Sequence, residues 1–369
     1  MRTASHRFTL SLAVAALAAG SLALSGCSVT PDAGDGGHLR VVTTTTQLTD
    51  FARIVGGDDV TISGLMAPGS SAHHFDPSPA ELLELSRADV LIVNGQGLDT
   101  YIDGAIEASG FAGQLIDASS GVDLEAARAA TERAAHEAED ATEHAEHAHE
   151  DEHADEHDAE AATEEADHDG HDHGESDVNP HLWTAPMMAS GMVDAVADGL
   201  AAADPEHAAG FQDRAAAYQE LLAELDGWAA AQFARVPESE RILVSGHDSL
   251  RYFLDAYGIA FAGSILPSFE DNAEPSVAEI DALVAKSKAQ GVRAIFVEST
   301  MNPKLARTIA RESGATVIDG DTLAVDALGV AGSDTDTYLA ATAHNVRVIL
   351  EAWGYTPDPL PDSLQEAPR

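Results

Sequence analysis

The chain has 369 residues and a formal net charge of −44. This length is sufficient for two domains with separate cores, and the large negative charge argues against nucleic acids and anionic membrane surfaces as partners. The only cysteine is Cys27, so a framework of intramolecular disulfides is excluded.

The N-terminal segment predicts an export signal. A basic start with Arg2 and Arg7 precedes an apolar run over residues 8–23, which is short for a transmembrane span. The following Leu24-Ser25-Gly26-Cys27 resembles the bacterial lipobox, in which the cysteine is lipidated and becomes the mature N-terminus. That resemblance implies an exported protein, anchored by lipid on the outer face of the cytoplasmic membrane. The alternative is an ordinary signal peptide with a free thiol near its end.

Strands and helices alternate from about residue 40 to residue 116. Apolar and β-branched segments predict strands at 40–45, 60–66, 90–93 and 114–116. Between them, helices are predicted at 48–55, from Pro79 with Leu82, Leu83 and Leu85 on it, and at 101–108. This alternation implies a parallel sheet. The loop after the second strand is rich in Pro and Gly and carries His73 and His74.

The composition changes between residues 126 and 177. From His136 to His173 the chain holds nine histidines and seventeen carboxylates, without Lys, Arg or aromatic residues. Such a segment cannot bury enough apolar area to offset the entropy of ordering, so we expect a disordered insertion. We interpret it as an auxiliary, weak metal-binding tract, with a solvated acidic spacer as the alternative. Its histidines are His136, His144, His147, His149, His153, His157, His168, His171 and His173.

A second α/β block follows the tract. Before this block, Asn179-Pro180-His181-Leu182-Trp183 follows the tract directly, and Pro186 then begins a helix with one apolar face. That face comprises Met187, Met188, Met192, Val193, Val196 and Leu200. Further strands are predicted at 241–245, 260–265, 294–297 and 316–318, and helices at 205–233, 277–290, 303–313 and 337–353. The block therefore predicts a second parallel sheet.

Three histidines, His73, His181 and His247, each lie at the end of a predicted strand or the start of a predicted helix. In open α/β sheets, ligands bind at the carboxyl ends of the strands. Because these histidines are distributed over both blocks, they favour one metal site between two domains. The sequence contains no Walker loop, no glycine-rich dinucleotide fingerprint and no predicted helix of the HExxH type, since the one HExxH string, at residues 149–153, lies in the acidic tract.

Four short motifs carry these histidines and a candidate carboxylate. They read His73-His74-Phe75-Asp76-Pro77, Pro180-His181-Leu182-Trp183, Ser245-Gly246-His247-Asp248 and Val325-Asp326-Ala327-Leu328-Gly329. Together they closely resemble the metal-binding lipoproteins of bacterial ABC importers for zinc and manganese, in particular the ZnuA-type zinc members. The fourth motif departs from the family's pattern, since Ala327 stands where the family has proline.

The resemblance implies an α/β fold of two pseudo-symmetric lobes with parallel sheets, joined by a rigid linker helix, with the metal in the cleft between the lobes. The implied segments are a lipoprotein signal peptide at 1–26, a tether at 27–38, an N-terminal lobe at 39–185 with the insertion at 126–177, a linker helix at 186–203 and a C-terminal lobe at 204–369.

The family's pattern also implies the ligands and the lobe that supplies each. The first lobe contributes two and the second lobe two, in the order His73, His181, His247 and Asp326. In the first motif the pattern assigns the ligand to His73 and makes His74 a neighbour. At the fourth position Asp319, Asp321 or a water molecule are alternatives. Glu298 is expected to be a structural carboxylate in the cleft wall.

Three imidazoles and one carboxylate suit tetrahedral Zn²⁺, whereas Mn²⁺ prefers more oxygen ligands. We therefore expect a monomeric, non-enzymatic protein that captures Zn²⁺ outside the cytoplasm and delivers it to an ABC permease. The alternatives are a manganese-binding homologue, a metal-binding adhesin or metal-buffering surface protein and, last, a zinc hydrolase, for which the sequence offers no positioned general base.

Overall fold

The computed structural model describes residues 38–73, 75–133, 178–266, 268 and 274–368, and of Asp321 it describes the main chain only. The predicted signal peptide, the tether up to residue 37, His74 and all nine histidines of the tract lie outside these ranges. No helix in the described part of the chain is both long enough and apolar enough to cross a membrane.

The first lobe is a four-stranded parallel sheet with the strand order β2-β1-β3-β4. Its elements are β1 Leu39–Thr43, α1 Thr46–Gly56, β2 Val60–Gly64, α2 Pro79–Leu85, β3 Val90–Val93, α3 Ile102–Ser109, β4 Gln114–Asp117 and the helix α4 at residues 124–133. Alternate residues of β3 pack on opposite faces, with Val90 and Ile92 in one buried cluster and Leu91 and Val93 in another. Because both faces are covered, this strand is apolar throughout.

The second lobe repeats this topology with the order β6-β5-β7-β8, again parallel. Its elements are β5 Ile242–Ser245, α7 Arg251–Tyr257, β6 Ala260–Ser264, α8 Val277–Gln290, β7 Ala294–Glu298, α9 Lys304–Ser313, β8 Thr316–Leu323, α10 Tyr338–Ala352 and α11 Asp362–Gln365. The matching strand orders confirm the predicted pair of pseudo-symmetric α/β lobes.

Capping residues determine where several helices begin. Ser78 Oγ accepts a hydrogen bond from Glu81 N at 3.4 Å, and the Glu81 carboxylate accepts one from Ser78 N at 2.6 Å, directly before Pro79. Ser276 and Glu279 form the same reciprocal pair at the start of α8. Each pair satisfies main-chain amides that the first helical turn leaves unpaired, so both helices begin where the sequence predicted.

Helix α5, in the segment expected to be the linker helix, spans Pro186–Ala203 and packs against α6 Ala208–Phe233. Met192 and Leu200 are buried along it, but Met187 is 54% exposed. Met192 follows Met187 by five positions, which places the two side chains about 140° apart around the helix. The apolar face therefore excludes Met187, contrary to the sequence-based prediction.

Helix α6 contributes to both hydrophobic cores. Its first half places Phe211 and Tyr218 in the core of the first lobe, and its last turns place Ala229 and Phe233 in the core of the second. The sequence assigned all of residues 204–369 to the second lobe, but the first half of α6 packs with the first lobe.

Residues 126–133 are helical and packed, so the prediction that the disordered insertion begins at residue 126 is wrong for this stretch. Ala127 and Ala130 are buried, and Arg133 donates to both carboxylate oxygens of Asp255 at 2.9 and 3.1 Å. Alanine-rich helices show no apolar periodicity, so the sequence pattern cannot separate a packed helix from a solvated one. Residues 134–177 lie outside the described ranges.

Candidate metal centre

His73 lies on the loop between β2 and α2. Its main-chain N donates to Ser71 Oγ at 3.2 Å, and the residue is half-buried. The same loop contacts the second lobe, because Gly69 N donates to the carbonyl oxygen of Leu328 at 3.1 Å. The loop thus brings an imidazole of the first lobe alongside the second.

His181 is buried, and Asn179 sets the direction of its ring. Asn179 Oδ1 accepts from His181 N at 3.1 Å and lies 2.7 Å from His181 Nδ1, while Asn179 Nδ2 donates to the carbonyl oxygen of Asp248 at 2.6 Å. These contacts fix the amide, so the facing ring nitrogen Nδ1 carries the proton. Nε2 therefore presents its lone pair to the cleft, which is the form of imidazole that binds metals.

His247 follows β5 and is held by Glu298 at the end of β7. Glu298 Oε1 accepts from Gly246 N at 3.1 Å, from His247 N at 3.2 Å and from Ser249 Oγ at 3.1 Å. Its other oxygen, Oε2, lies 2.5 Å from His247 Nδ1. Glu298 thus faces Nδ1 of His247 from the cleft wall. The other ring nitrogen of His247, Nε2, points toward His181.

Asp326 lies on the loop after β8 and is fully buried. Its Oδ2 accepts from Thr300 Oγ1 at 3.2 Å. No group among the described residues donates a hydrogen bond to Oδ1, which faces the imidazoles. A buried carboxylate oxygen without a donor is costly, and a bound cation would satisfy it.

The four side chains converge on one point between the lobes. Nε2 of His181 lies 3.1 Å from Nε2 of His73 and 3.3 Å from Nε2 of His247. Oδ1 of Asp326 lies 3.5 Å from Nε2 of both His181 and His247. All four donor atoms are within 4.8 Å of one another. A tetrahedral ion with bonds of roughly 2.0–2.1 Å separates its ligand atoms by about 3.3–3.4 Å, so these spacings fit one small cation.

The electrostatics of the cluster favour a positive charge at its centre. Burial alone would lower the pKa of His247, but the negative charges of Glu298 and Asp326 hold this pKa well above its ordinary value. Burial would likewise raise the pKa of Asp326, but the positive charge of His247 holds it well below its ordinary value. A proton or a metal ion among the donor atoms relieves the repulsion between the facing lone pairs.

The structure brings together the four predicted ligands and separates one alternative from them. Asp319 pairs with Arg307, with 2.5 Å between Oδ2 and Nε, and is not part of the cluster. The side chains of Asp321 and His74, and the predicted lipidation site at Cys27, lie outside the described residues.

Two residues that hold the cluster were not predicted. Asn179 orients His181, and its position two residues before the histidine is the one sequence feature that could have predicted this role. Thr300 contacts Asp326 across the cleft wall, and no pattern in the sequence around it marks this role.

Comparisons with known proteins identify the family. The family model of ZnuA, zinc-uptake complex component A, periplasmic, matches residues 41–352. Manganese-binding lipoprotein MntA of Bacillus subtilis (strain 168) is 27% identical over 344 residues, covering 92% of this chain and 98% of MntA. Zinc-binding protein TroA of Treponema pallidum (strain Nichols) is 27% identical over 324 residues, covering 87% of this chain and 91% of TroA.

Solved structures show the same fold. The periplasmic zinc-binding protein TroA from Treponema pallidum superposes with a TM-score of 0.67 at 24% identity, covering 86% of this chain and 99% of TroA. An Mn-bound periplasmic metal-binding protein from Candidatus Liberibacter asiaticus superposes with a TM-score of 0.65 at 19% identity, covering 85% and 99%. The chain belongs to the ZnuA family: it is a metal-binding substrate-binding protein of an ABC importer, which works with a membrane permease, and not an enzyme.

Proposed function

We propose that this protein captures Zn²⁺ outside the cytoplasm and delivers it to the permease of its importer, with His73, His181, His247 and Asp326 as ligands. The observation that carries the proposal is the convergence of imidazole nitrogens and one carboxylate oxygen at contact spacings of 3.1–3.5 Å. Zn²⁺ takes such a nitrogen-rich tetrahedral set, and it would replace the proton that the buried site otherwise favours.

The choice of zinc over manganese rests on the donor set. The named relatives include a manganese-binding and a zinc-binding protein, both 27% identical to this chain, so identity does not decide the metal. Mn²⁺ prefers more oxygen ligands and a higher coordination number. Here three of the four donors are nitrogens, and Thr300 engages the second oxygen of Asp326, which leaves one oxygen for the ion.

Competition between Zn²⁺ and Mn²⁺ for the tightest site of the exported chain tests the proposal. We expect one tight Zn²⁺ per protein, with Mn²⁺ weaker by orders of magnitude. His181→Ala and His247→Ala should abolish tight binding, because each removes a ligand. His207→Ala is the control, since His207 pairs with Asp204 outside the cluster. Tighter Mn²⁺ than Zn²⁺ would overturn the zinc assignment, and tight binding by His181→Ala would overturn the site.

The first motif contains two neighbouring histidines, and the proposal assigns the ligand to His73. His73→Ala should therefore abolish tight binding, while His74→Ala should retain most of it. Asp326→Ala should cost less than loss of a histidine, because water can replace a carboxylate ligand. Equal damage from His73→Ala and His74→Ala would show that the register of the motif is wrong.

The tract from His136 to His173 supplies further, weaker Zn²⁺ sites under this proposal, since its histidines recur at no fixed spacing that defines one rigid site. The flanks of the tract meet beside the cleft, where Asn179 N donates to Thr131 Oγ1 at 3.3 Å. Zinc held between these flanks is at high local concentration near His181. Calorimetry on the chain without residues 136–173 should show loss of the weak sites and retention of the tight one.

Lipidation of Cys27 would keep the monomeric protein at the outer face of the cytoplasmic membrane, next to its permease. The support is the Leu24-Ser25-Gly26-Cys27 sequence and the word lipoprotein in the name of MntA. Cys27→Ala should move the protein from the membrane fraction to the soluble fraction. Unchanged fractionation of this variant would exclude the lipid anchor.

A further inference from the structure

The loop that carries Asp326 is hydrogen-bonded on both sides of this residue to the first lobe. Before Asp326, the carbonyl oxygen of Val325 accepts from Gln47 Nε2 at 2.8 Å and from Trp183 Nε1 at 3.0 Å. After Asp326, Leu328 N donates to Thr46 Oγ1 at 2.8 Å. Asp326 belongs to the second lobe, but its main chain is therefore positioned by residues at the start of α1 and beside His181.

These contacts form one continuous chain of hydrogen bonds. Thr46 Oγ1 accepts from Leu328 N and donates to Gln47 Oε1 at 3.0 Å, and the Gln47 amide then donates through Nε2 to the carbonyl oxygen of Val325. Each donor has one acceptor in a fixed direction, so the Gln47 amide cannot be turned over without breaking two bonds. Thr46 and Gln47 are 6% and 2% exposed, so water cannot replace either contact at low cost.

We propose that Thr46 and Gln47, which do not touch the metal, are positioning residues that set the place of the Asp326 carboxylate and thereby the affinity of the cleft for its ion. The inference rests on the proposed function for its metal readout. It goes beyond that function by making a ligand of the second lobe depend on side chains of the first, so that the fourth ligand is in place only when the lobes are together.

The test is Gln47→Leu in the full exported chain, with Zn²⁺ affinity measured by chelator competition at the tightest site. Leucine keeps the volume but cannot bond to Val325 or Thr46, so we expect affinity to fall about 10-fold, at the lower end for residues that orient metal ligands. Gln232→Leu is the matched control. Gln232 is also buried, and it accepts from Asp358 N and Arg235, neither of which belongs to the cluster, so its loss should leave zinc affinity unchanged.

A double-mutant cycle separates positioning from general damage to the fold. In an Asp326→Ala background there is no carboxylate to position, so Gln47→Leu should have no further effect on zinc affinity. An equal loss in both backgrounds would overturn the proposal, as would unchanged affinity of Gln47→Leu in the wild-type background.

Hydrogen exchange of the metal-free chain tests whether Thr46 and Gln47 hold the loop, without relying on zinc binding. Gln47→Leu should speed exchange at the amide of Leu328, because Thr46 loses the acceptor that orders its hydroxyl. If the wild-type chain bound no Zn²⁺, the proposed function would be wrong. The exchange measurement would still show whether the first lobe holds the loop of Asp326. Unchanged exchange at Leu328 would show that it does not.

Discussion

At the residue scale, each buried imidazole is oriented by a polar side chain that faces Nδ1, the ring nitrogen on the side away from the cluster. Asn179 supplies a neutral amide oxygen 2.7 Å from Nδ1 of His181, whereas Glu298 supplies a buried carboxylate 2.5 Å from Nδ1 of His247. The carboxylate adds negative charge, which strengthens the basicity of the opposite nitrogen. If His247 binds the metal as proposed, Glu298 acts on the ion through this histidine, and its charge as well as its shape should matter.

Glu298→Gln tests the charge. Glutamine keeps an oxygen for the amides of Gly246 and His247 but removes the negative charge beside His247 Nδ1. We expect the Zn²⁺ affinity to fall about 10- to 100-fold, measured by chelator competition at neutral pH. Glu240→Gln is the control, since Glu240 pairs with Arg293 at 2.8 Å outside the cluster. Equal affinities of wild type and Glu298→Gln would contradict the role of the charge.

At the element scale, the linker helix α5 lies against the turn at Ala118–Gly121. A methyl group at Gly191, within α5, would overlap the main-chain carbonyl of Gly121. Glycine costs helical stability, so its presence here reflects the close approach of two backbones. This contact holds the linker helix against the sheet of the first lobe.

Gly191→Ala should therefore lower the free energy of unfolding by about 1–3 kcal/mol through overpacking. Gly227→Ala is matched to it, because Gly227 also lies inside a helix, but a methyl group there would meet no described atom within 4 Å apart from its chain neighbours and the backbone of its own helix. That substitution should raise stability by about 0.5–1 kcal/mol. Urea unfolding measures both, and effects of the same sign would contradict the close-approach argument.

Two deletions test where the ordered part of the first lobe ends. Removing residues 136–173 should leave the unfolding temperature and the tight zinc site unchanged. Removing residues 126–173 should lower both, because it deletes buried Ala127 and Ala130 and the contact between Thr131 and Asn179. Calorimetry with and without Zn²⁺ distinguishes the two, and identical behaviour would show that α4 is dispensable.

At the scale of the whole molecule, the sequence predicted local structure but not the contacts between distant parts of the chain. The parallel sheets and the linker helix follow from periodicity and capping, which act within short segments. The clustered candidate ligands were predicted from motifs that keep each of them next to recognisable neighbours. The bond from Gln47 to Val325 joins residues 278 positions apart, and nothing in Thr43-Thr44-Thr45-Thr46-Gln47 marks it. Side-chain bonds between lobes depend on the assembled fold, so sequence patterns do not reveal them.

Asp50 is a second link between the lobes, and it carries a titratable charge. It lies on α1 and accepts from Tyr338 N, at the start of α10, at 2.9 Å. It is 1% exposed, and burial raises its pKa from 3.8 to about 6. Folding therefore favours the protonated carboxyl, and at neutral pH the charged carboxylate lowers the free energy of unfolding.

The free energy of unfolding of the metal-free chain should therefore depend on the ionisation of Asp50. Between pH 3.8 and about 6 the folded state binds more protons at Asp50 than the unfolded state does, so its contribution to the free energy of unfolding falls as the pH rises through this window. Asp50→Asn keeps an oxygen for Tyr338 and removes the titration, so its stability relative to wild type should rise across the window by on the order of 3 kcal/mol. Asp89→Asn should show the opposite sign at pH values below 3.8, because a hydrogen bond from Arg40 lowers the pKa of Asp89, and wild type should lose its advantage over this variant as the pH falls through that lower range. Urea unfolding at pH 3.8 and at about pH 6 measures the difference for Asp50→Asn, and unfolding below pH 3.8 measures that for Asp89→Asn. A constant difference for Asp50→Asn would show that Asp50 does not titrate between the lobes.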